Sequence, residues 1–196
     1  MKKDPYQPSV CKIGYLGEGD FKTCHMYKQT KEYAAWKRML TRCYNLHFLE
    51  KYPTYNGCKV AKIWHNFQNF AKWYKDNYVD GFQLDKDILF KNNKLYSPET
   101  CCFVPNEINS YFISCKSVRG ILPIGITHDK SNKYVVRIRK NNHRYTLGLF
   151  DTVYEAFNIY KNEKEKYAKE LADKYKDKIT EKTYNAIINY KIEITD

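Results

Sequence analysis

The strongest constraint on the fold is the alternation of side chains in the segment YVVRIRK, residues 134–140. Successive residues of a β-strand face opposite sides of a sheet, so this segment predicts a strand with one apolar face and one basic face. The basic face should carry Val135, Arg137 and Arg139, and the apolar face Tyr134, Val136 and Ile138. The apolar face can pack on a helix while the arginines face outward.

Two further alternating segments flank this strand, and a long amphipathic helix follows them. The flanking strands are predicted at Leu122–Thr127 and Arg144–Phe150, with polar turns at His128–Lys133 and Asn141–His143. Asp151 or Thr152 caps the helix, because both residue types favour that position. The apolar side of the helix comprises Tyr154, Phe157, Tyr160, Tyr167 and Leu171. The order predicts a three-stranded antiparallel sheet packed on one helix.

Charge indicates a partner for this sheet. The 196 residues include 34 Lys or Arg and 22 Asp or Glu, which gives a net charge of +12. Such a balance is the usual electrostatic signature of a partner with a phosphate backbone, although ordinary basic proteins share it. Lys133, Lys140, His143 and Arg144 add to the arginines of one hairpin. A cationic sheet face of this kind suits the DNA major groove, and the alternative is a solvated face whose charges protect sheet edges.

Residues 119–172 resemble the Apetala-two, or ethylene-response-factor, DNA-binding domain of plant regulators and of many phage homing endonucleases. The matching residues are Gly125 in the first strand, Tyr134 at the start of the second, LGLF at the end of the third, and Ala156 and Tyr160 in the helix. The resemblance implies that double-stranded DNA is contacted by Arg137, Arg139, Arg144 and Tyr145, with Lys133 and Lys140 on phosphates. An Arg that reads guanine contributes roughly 1–3 kcal/mol of discrimination.

The preceding part of the chain predicts helices and then a ββα unit. From Thr30, an N-cap candidate, KEYAAWKRMLTRCY has the apolar spacing of a helix with a basic outer side. An aromatic stripe in residues 59–78 is typical of a second helix packed into a core. Residues 81–112 then predict a strand, a turn at two asparagines, a second strand and a short helix.

The stretch Tyr33–Asn109 resembles a phage family of HNH-type, or His-metal, endonucleases, most clearly in RCYN, WHNFQNF, LDKDI and YSPETCCFVPNEIN. In that family two strands and a helix hold one divalent cation, which stabilises the scissile phosphate and the leaving oxygen. The resemblance implies that Asp85 and Asn109 bind the metal, with Asp87 as a further ligand. Oxygen ligands favour Mg²⁺ or Mn²⁺ over zinc.

Lys86 stands at the position of the general-base histidine of HNH nucleases, where members of the phage family typically have the arginine of LDRID. Lysine is protonated at neutral pH and is a poor base, so Lys86 would either contact the scissile phosphate or take the place of the base. From the residues alone, Asp85, Lys86 and Asp87 also fit a surface strand with an ion pair. Asn109 likewise fits a helix residue that faces water.

The seven cysteines include no CxxC pair, and no leader or apolar stretch approaches the ~18 residues of a membrane span. We therefore expect a cytoplasmic protein with reduced thiols, and the resemblance to phage endonucleases implies a phage-infected bacterial host. A zinc site is the less favoured alternative, because structural zinc ligands usually come in closely spaced pairs. Its ligands would come from Cys24, His25, Cys43, Cys58, Cys101 and Cys102.

These features predict an α+β protein of four parts. They are an irregular arm at residues 1–29, an HNH-like ββα-metal domain at 30–115, an Apetala-two-type domain at 116–176 and a tail at 177–196, with the hinge at Lys116–Gly120. The predicted function is site-specific DNA binding with metal-dependent hydrolysis of phosphodiesters, as in a phage or mobile-element endonuclease. The alternatives are a catalytically silent DNA-binding regulator and a basic phage inhibitor of a host protein.

Overall fold

The computed structural model describes residues 4–113 and 120–196. The chain forms two compact units, Met1–Phe103 and Val104–Asp196. Most of the predicted hinge, residues 116–119, lies outside the described residues. Six α-helices and four small sheets make up the described part, so the mixed α+β class is confirmed.

The first unit has three helices and several short strands. They are β1 (Cys24–His25), β2 (Lys28–Gln29), α1 (Lys31–Tyr44), α2 (Leu46–Lys51), β3 (Lys59–Val60), α3 (Phe67–Asn77), β4 (Phe82–Asp85), β5 (Leu95–Tyr96) and β6 (Cys102–Pro105), with 3₁₀ turns at Pro53–Tyr55 and Lys62–His65. The pairs are β1 with β2, β3 with β5 and β4 with β6. The first two residues of β6 end this unit, and the last two begin the next.

The aromatic stripe forms the core of the first unit, as its spacing predicts. Trp36, Trp64, Phe67 and Phe70 are fully buried, and the Trp36 indole nitrogen donates to the Trp64 carbonyl oxygen at 2.7 Å. The helix predicted within residues 59–78 is shorter than that range, because the side chain of Asn66 caps it and α3 begins at Phe67. The first half of the stripe is a strand and a 3₁₀ turn instead.

The second unit contains the predicted sheet and helix. Its elements are α4 (Asn106–Tyr111), β7 (Ile126–His128), β8 (Tyr134–Lys140), β9 (His143–Phe150), α5 (Val153–Lys174) and α6 (Glu181–Ile188). The sheet has the order β7-β8-β9 and is antiparallel throughout. Thr152 caps α5 by accepting from the Glu155 amide at 3.2 Å. The tail also contributes to the core of this unit, because Ile192 is buried there with residues of the sheet and of α5.

Two features fasten the sheet to α5. Gly125 has φ +78°, and a Cβ atom at this position would lie 2.1 Å from the Tyr160 ring. At the other end, Asn141 and Asn142 both have positive φ and form the two-residue turn between β8 and β9, as a type I′ hairpin requires. The Tyr167 hydroxyl donates to the Asn141 side-chain oxygen at 2.8 Å. The hairpin is therefore held by α5 at its tip.

Candidate nucleic-acid interface

The pairing of β8 with β9 determines which side chains share a face of the sheet. Arg139 lies opposite Arg144, and Arg137 lies opposite Thr146. Directly paired residues of antiparallel strands point to the same side. The residues next to them in β8, Val136 and Ile138, belong to the core beneath α5. Arg137, Arg139 and Arg144 therefore lie together on the side away from that core, and we call this surface the arginine face.

A β-bulge at Leu147 creates this face. Val136 pairs with Gly148 but Arg137 pairs with Thr146, so Leu147 has no partner in β8 and packs against the core instead. With strict alternation, Arg144 would share a face with the core residue Phe150. The extra residue changes the side of the sheet to which the earlier side chains of β9 point. Arg144 therefore points away from the core.

The bulge also separates residues that the sequence groups together. Tyr145 lies opposite Ile138, on the helix side of the sheet, where it is 48% exposed. Lys140 is on that side as well, in an ion pair with Glu163 and with its amine 5.0 Å from the centre of the Tyr167 ring. Of the six predicted DNA-contacting residues, Tyr145 and Lys140 thus lie on the side of the sheet opposite to the arginine face.

Lys133 precedes β8, and its amine pairs with the Asp151 carboxylate at 3.0 Å. Thr127 and Thr146 flank the arginine face on the neighbouring strands, and neither was among the predicted DNA-contacting residues. Thr127 has a visible role there, since its hydroxyl accepts a hydrogen bond from the Arg137 guanidinium at 2.7 Å. That bond fixes the direction of one guanidinium.

The other two guanidiniums have no such partner. The side chains of Arg139 and Arg144 make no hydrogen bond or ion pair with any residue of the described ranges 4–113 and 120–196, and the two residues pair only through the backbone of the sheet. Like charges directly opposite each other destabilise a sheet, and a guanidinium carries five N–H donors. The pair therefore combines mutual repulsion with unused donors, and an anion between them would relieve both.

Lys86, on the loop after β4, is buried at 7% exposure and has every amine donor occupied. It donates to both carboxylate oxygens of Asp87 at 2.7 Å and to the Asn93 carbonyl oxygen at 2.6 Å. In return the Asn93 side chain donates to the Lys86 carbonyl oxygen at 2.8 Å. These bonds close the loop between β4 and β5, so Lys86 has a structural role that its position in LDKDI did not reveal.

Asp85 ends β4 and is partly buried. One carboxylate oxygen accepts from the amides of Asp87 and Ile88, both at 2.7 Å. Burial raises the pKa of Asp85 above its ordinary value, and the two amide hydrogen bonds oppose that rise only in part. A carboxyl group held at an energetic cost is a common feature of functional sites, although the same bonds also shape the turn.

The residues around Asp85 do not fit a divalent metal as they stand. Both oxygens of Asp87 are bound to the Lys86 ammonium, which would also repel a nearby cation. Asn109 lies in α4, in the second unit. Among the described residues, no three His, Cys, Asp or Glu side chains are grouped so that they could hold an ion. The Mg²⁺ or Mn²⁺ site stays a prediction.

The cysteines proposed as zinc ligands are mostly buried thiols. Cys43, Cys58, Cys101 and Cys102 are buried, and Cys24 is exposed on β1. Burial raises the pKa of Cys43 to about 12 and also raises that of Cys101. Zinc binds the thiolate, which these surroundings disfavour.

Replacing Asp85 by Asn tests the cost of the buried carboxyl group. Because its pKa is raised on folding, the folded protein binds this proton more tightly, so stability falls as the pH rises through that range. Asp85→Asn keeps an oxygen acceptor for the two amides and removes the charge. We expect urea denaturation to show a more stable variant at neutral pH and a smaller difference in acid. A variant that is less stable than the wild type at neutral pH would contradict this.

Comparisons with known proteins add no relative. No protein-family model matches the chain, and neither a curated protein nor a solved structure matches it. No helix in the described part of the chain is long and apolar enough to cross a membrane. The two resemblances seen in the sequence stay expectations.

Proposed function

We propose that this protein binds double-stranded DNA through the arginine face of its three-stranded sheet. The observation that carries the proposal is the pair Arg139 and Arg144, two cations directly opposite each other on adjacent strands without an acidic partner among the described residues. Such an arrangement costs stability in the free protein. A phosphate or a guanine edge supplies acceptors that can replace water at the two exposed guanidiniums.

The two-stranded form of the β8–β9 hairpin supports this proposal. The major groove is about 12 Å wide and admits a two-stranded β-ribbon, and the β8–β9 hairpin is such a ribbon. Arg137 is held by Thr127, so its guanidinium is already oriented and suits a base contact. Arg139 and Arg144 remain adaptable and suit phosphates, which fix the register of the protein on the duplex.

The experiment that tests DNA binding is a titration of duplex DNA with the full chain at several salt concentrations. Each phosphate contact adds about −0.9 to the slope of log K against log salt, so contacts by Arg139 and Arg144 predict a slope of about −2 or steeper. Binding that is absent, or that does not change with salt, would overturn the proposal. A host protein that copurifies in place of DNA would favour the inhibitor alternative.

DNA cleavage is the second candidate function. The raised pKa and partial burial of Asp85 favour it, since catalytic carboxyl groups are often held in this way. The occupied donors of Lys86 and the engaged carboxylate of Asp87 favour the other alternative, a catalytically silent DNA-binding regulator. We infer that the regulator agrees better with the residues around Asp85.

A plasmid assay separates these two functions. We expect the wild-type protein to bind supercoiled plasmid without nicking it in Mg²⁺ or Mn²⁺, because both carboxylate oxygens of Asp87 are bound to the Lys86 ammonium. The matched variant is Asp85→Ala, with folding checked by circular dichroism. Metal-dependent nicking that Asp85→Ala abolishes would establish the endonuclease and contradict our expectation.

A further inference from the structure

A hairpin at the start of the first unit exposes two large apolar side chains at its tip. Strands β1 and β2 pair Cys24 with Gln29 and His25 with Lys28, which leaves Met26 and Tyr27 as the two-residue turn. Tyr27 is fully exposed, and Met26 is 80% exposed. We call these two residues the hairpin tip.

The backbone of the tip is strained for such residues. Met26 has φ +46° and Tyr27 has φ +63°, the conformation of a type I′ turn, in which Asn and Gly are strongly preferred. Bulky L-residues in this region crowd their own backbone. Full exposure means that burial of these side chains in the free protein does not offset the strain. Strained positions of this kind occur preferentially at functional sites.

The base of the hairpin is firmly attached. The Thr30 amide donates to the Thr23 carbonyl oxygen at 3.0 Å, and the Thr30 hydroxyl donates to the Lys22 carbonyl oxygen at 3.0 Å. Thr30 is also the N-cap of α1. The base of the hairpin is therefore fixed to the N-terminus of α1, and this attachment sets the direction in which the tip projects.

The charge around the tip identifies the class of partner. The segment from Lys22 to Lys31 contains three lysines and no acidic residue. Lys31 pairs with Asp80, whereas Lys22 and Lys28 form no ion pair with a residue of the described ranges and could face an anionic surface. An apolar projection between cationic side chains matches the alternation of stacked bases and phosphates in nucleic acid.

We propose that the hairpin tip is a wedge that stacks Tyr27 on a DNA base, with Met26 beside it. This inference rests on the proposed DNA binding and adds a second contact, in the other unit of the chain. Two side chains are too few for a protein interface, which typically buries about 800 Å² on each partner. They are enough for one base step, which architectural DNA-binding proteins open with single apolar side chains.

The test uses the full chain and duplexes that carry the fluorescent adenine analogue aminopurine at successive flexible pyrimidine–purine steps. Unstacking of the analogue raises its fluorescence, so the wild-type protein should increase the signal at one or more steps. Tyr27→Ser should remove that increase and weaken affinity by about tenfold, the effect expected for one stacked base. Leu46→Ser is the matched control, because Leu46 is 77% exposed on an ordinary helix, and it should change neither signal nor affinity.

A second variant separates binding from folding. Replacing Met26 by Asn and Tyr27 by Gly installs the preferred turn residues, so this variant should have a higher Tm than the wild type and still give no fluorescence increase. A lower Tm would mean that the tip side chains support the fold, and it would overturn the wedge.

The outcomes distinguish the two proposals. A wild-type protein that binds no duplex overturns DNA binding and the wedge together. If binding depends on Arg139 and Arg144 while the fluorescence is the same with and without Tyr27, only the wedge is overturned. Binding of the wild type, but not of Tyr27→Ser, to vesicles of phosphatidylcholine and phosphatidylserine would assign the tip to membrane surfaces and also overturn the wedge.

Discussion

Replacing Arg139 and Arg144 together by Glu should lower the affinity of the protein for duplex DNA by about 100-fold or more at low salt, since a hydrogen bond to a charged phosphate contributes about 1.5–3 kcal/mol and the new carboxylates repel phosphate. The loss should shrink as salt rises, because screening weakens both the attraction and the repulsion. Fluorescence anisotropy with a labelled duplex measures the change.

The single variant Arg144→Glu sharpens this prediction. It places a carboxylate directly opposite Arg139 and replaces a like-charge pair with an opposite-charge pair. The free energy of unfolding should therefore rise by about 0.5 kcal/mol while DNA affinity falls. Opposite signs for stability and binding are expected only if the arginine pair is maintained for a ligand.

The matched control for the charge change is Lys169→Glu, on an exposed position of α5. It alters the net charge as much as Arg144→Glu does, but it lies off the sheet. We expect its effect on affinity to be several times smaller than that of Arg144→Glu. Equal effects would mean that affinity depends on net charge alone, and the arginine face would lose its assignment.

Replacing Gly125 by Ala should destabilise the second unit by about 3 kcal/mol, the sum of a left-handed backbone conformation and an overpacked contact. The new Cβ atom would lie 2.1 Å from the buried Tyr160 ring, so either β7 or the ring must move. Urea denaturation followed by far-ultraviolet circular dichroism measures the loss. DNA affinity at low temperature should fall only as far as the folded fraction falls.

Gly120 supplies the control for this second prediction. Its φ is +77°, nearly that of Gly125, but a Cβ atom there would meet no atom of the described residues within 4 Å. Gly120→Ala should therefore cost only the backbone term, about 1 kcal/mol. If the two variants were equally destabilised, close packing of β7 on Tyr160 would not be what holds the sheet to α5.

Local patterns in the sequence were enough to predict much of the fold. The caps at Thr30 and Thr152 depend on residues three positions apart. The bounds of β8 follow from alternation within seven residues, and the core role of Trp36 and Phe67 follows from helical spacing and aromatic character. Each of these features is decided by neighbours in the chain, so sequence reasoning can reach it.

The candidate sites depended on information that no local pattern contains. A single unpaired residue, Leu147, decided that Arg144 faces outward and that Tyr145 does not, because strand register is a property of two strands together. One donor of the Lys86 amine is occupied because the loop brings the carbonyl oxygen of Asn93, seven residues away, next to it. The sequence thus determined which elements form and that one sheet carries basic residues. Only the tertiary structure decided which of those residues face outward without a side-chain partner in the described part of the chain.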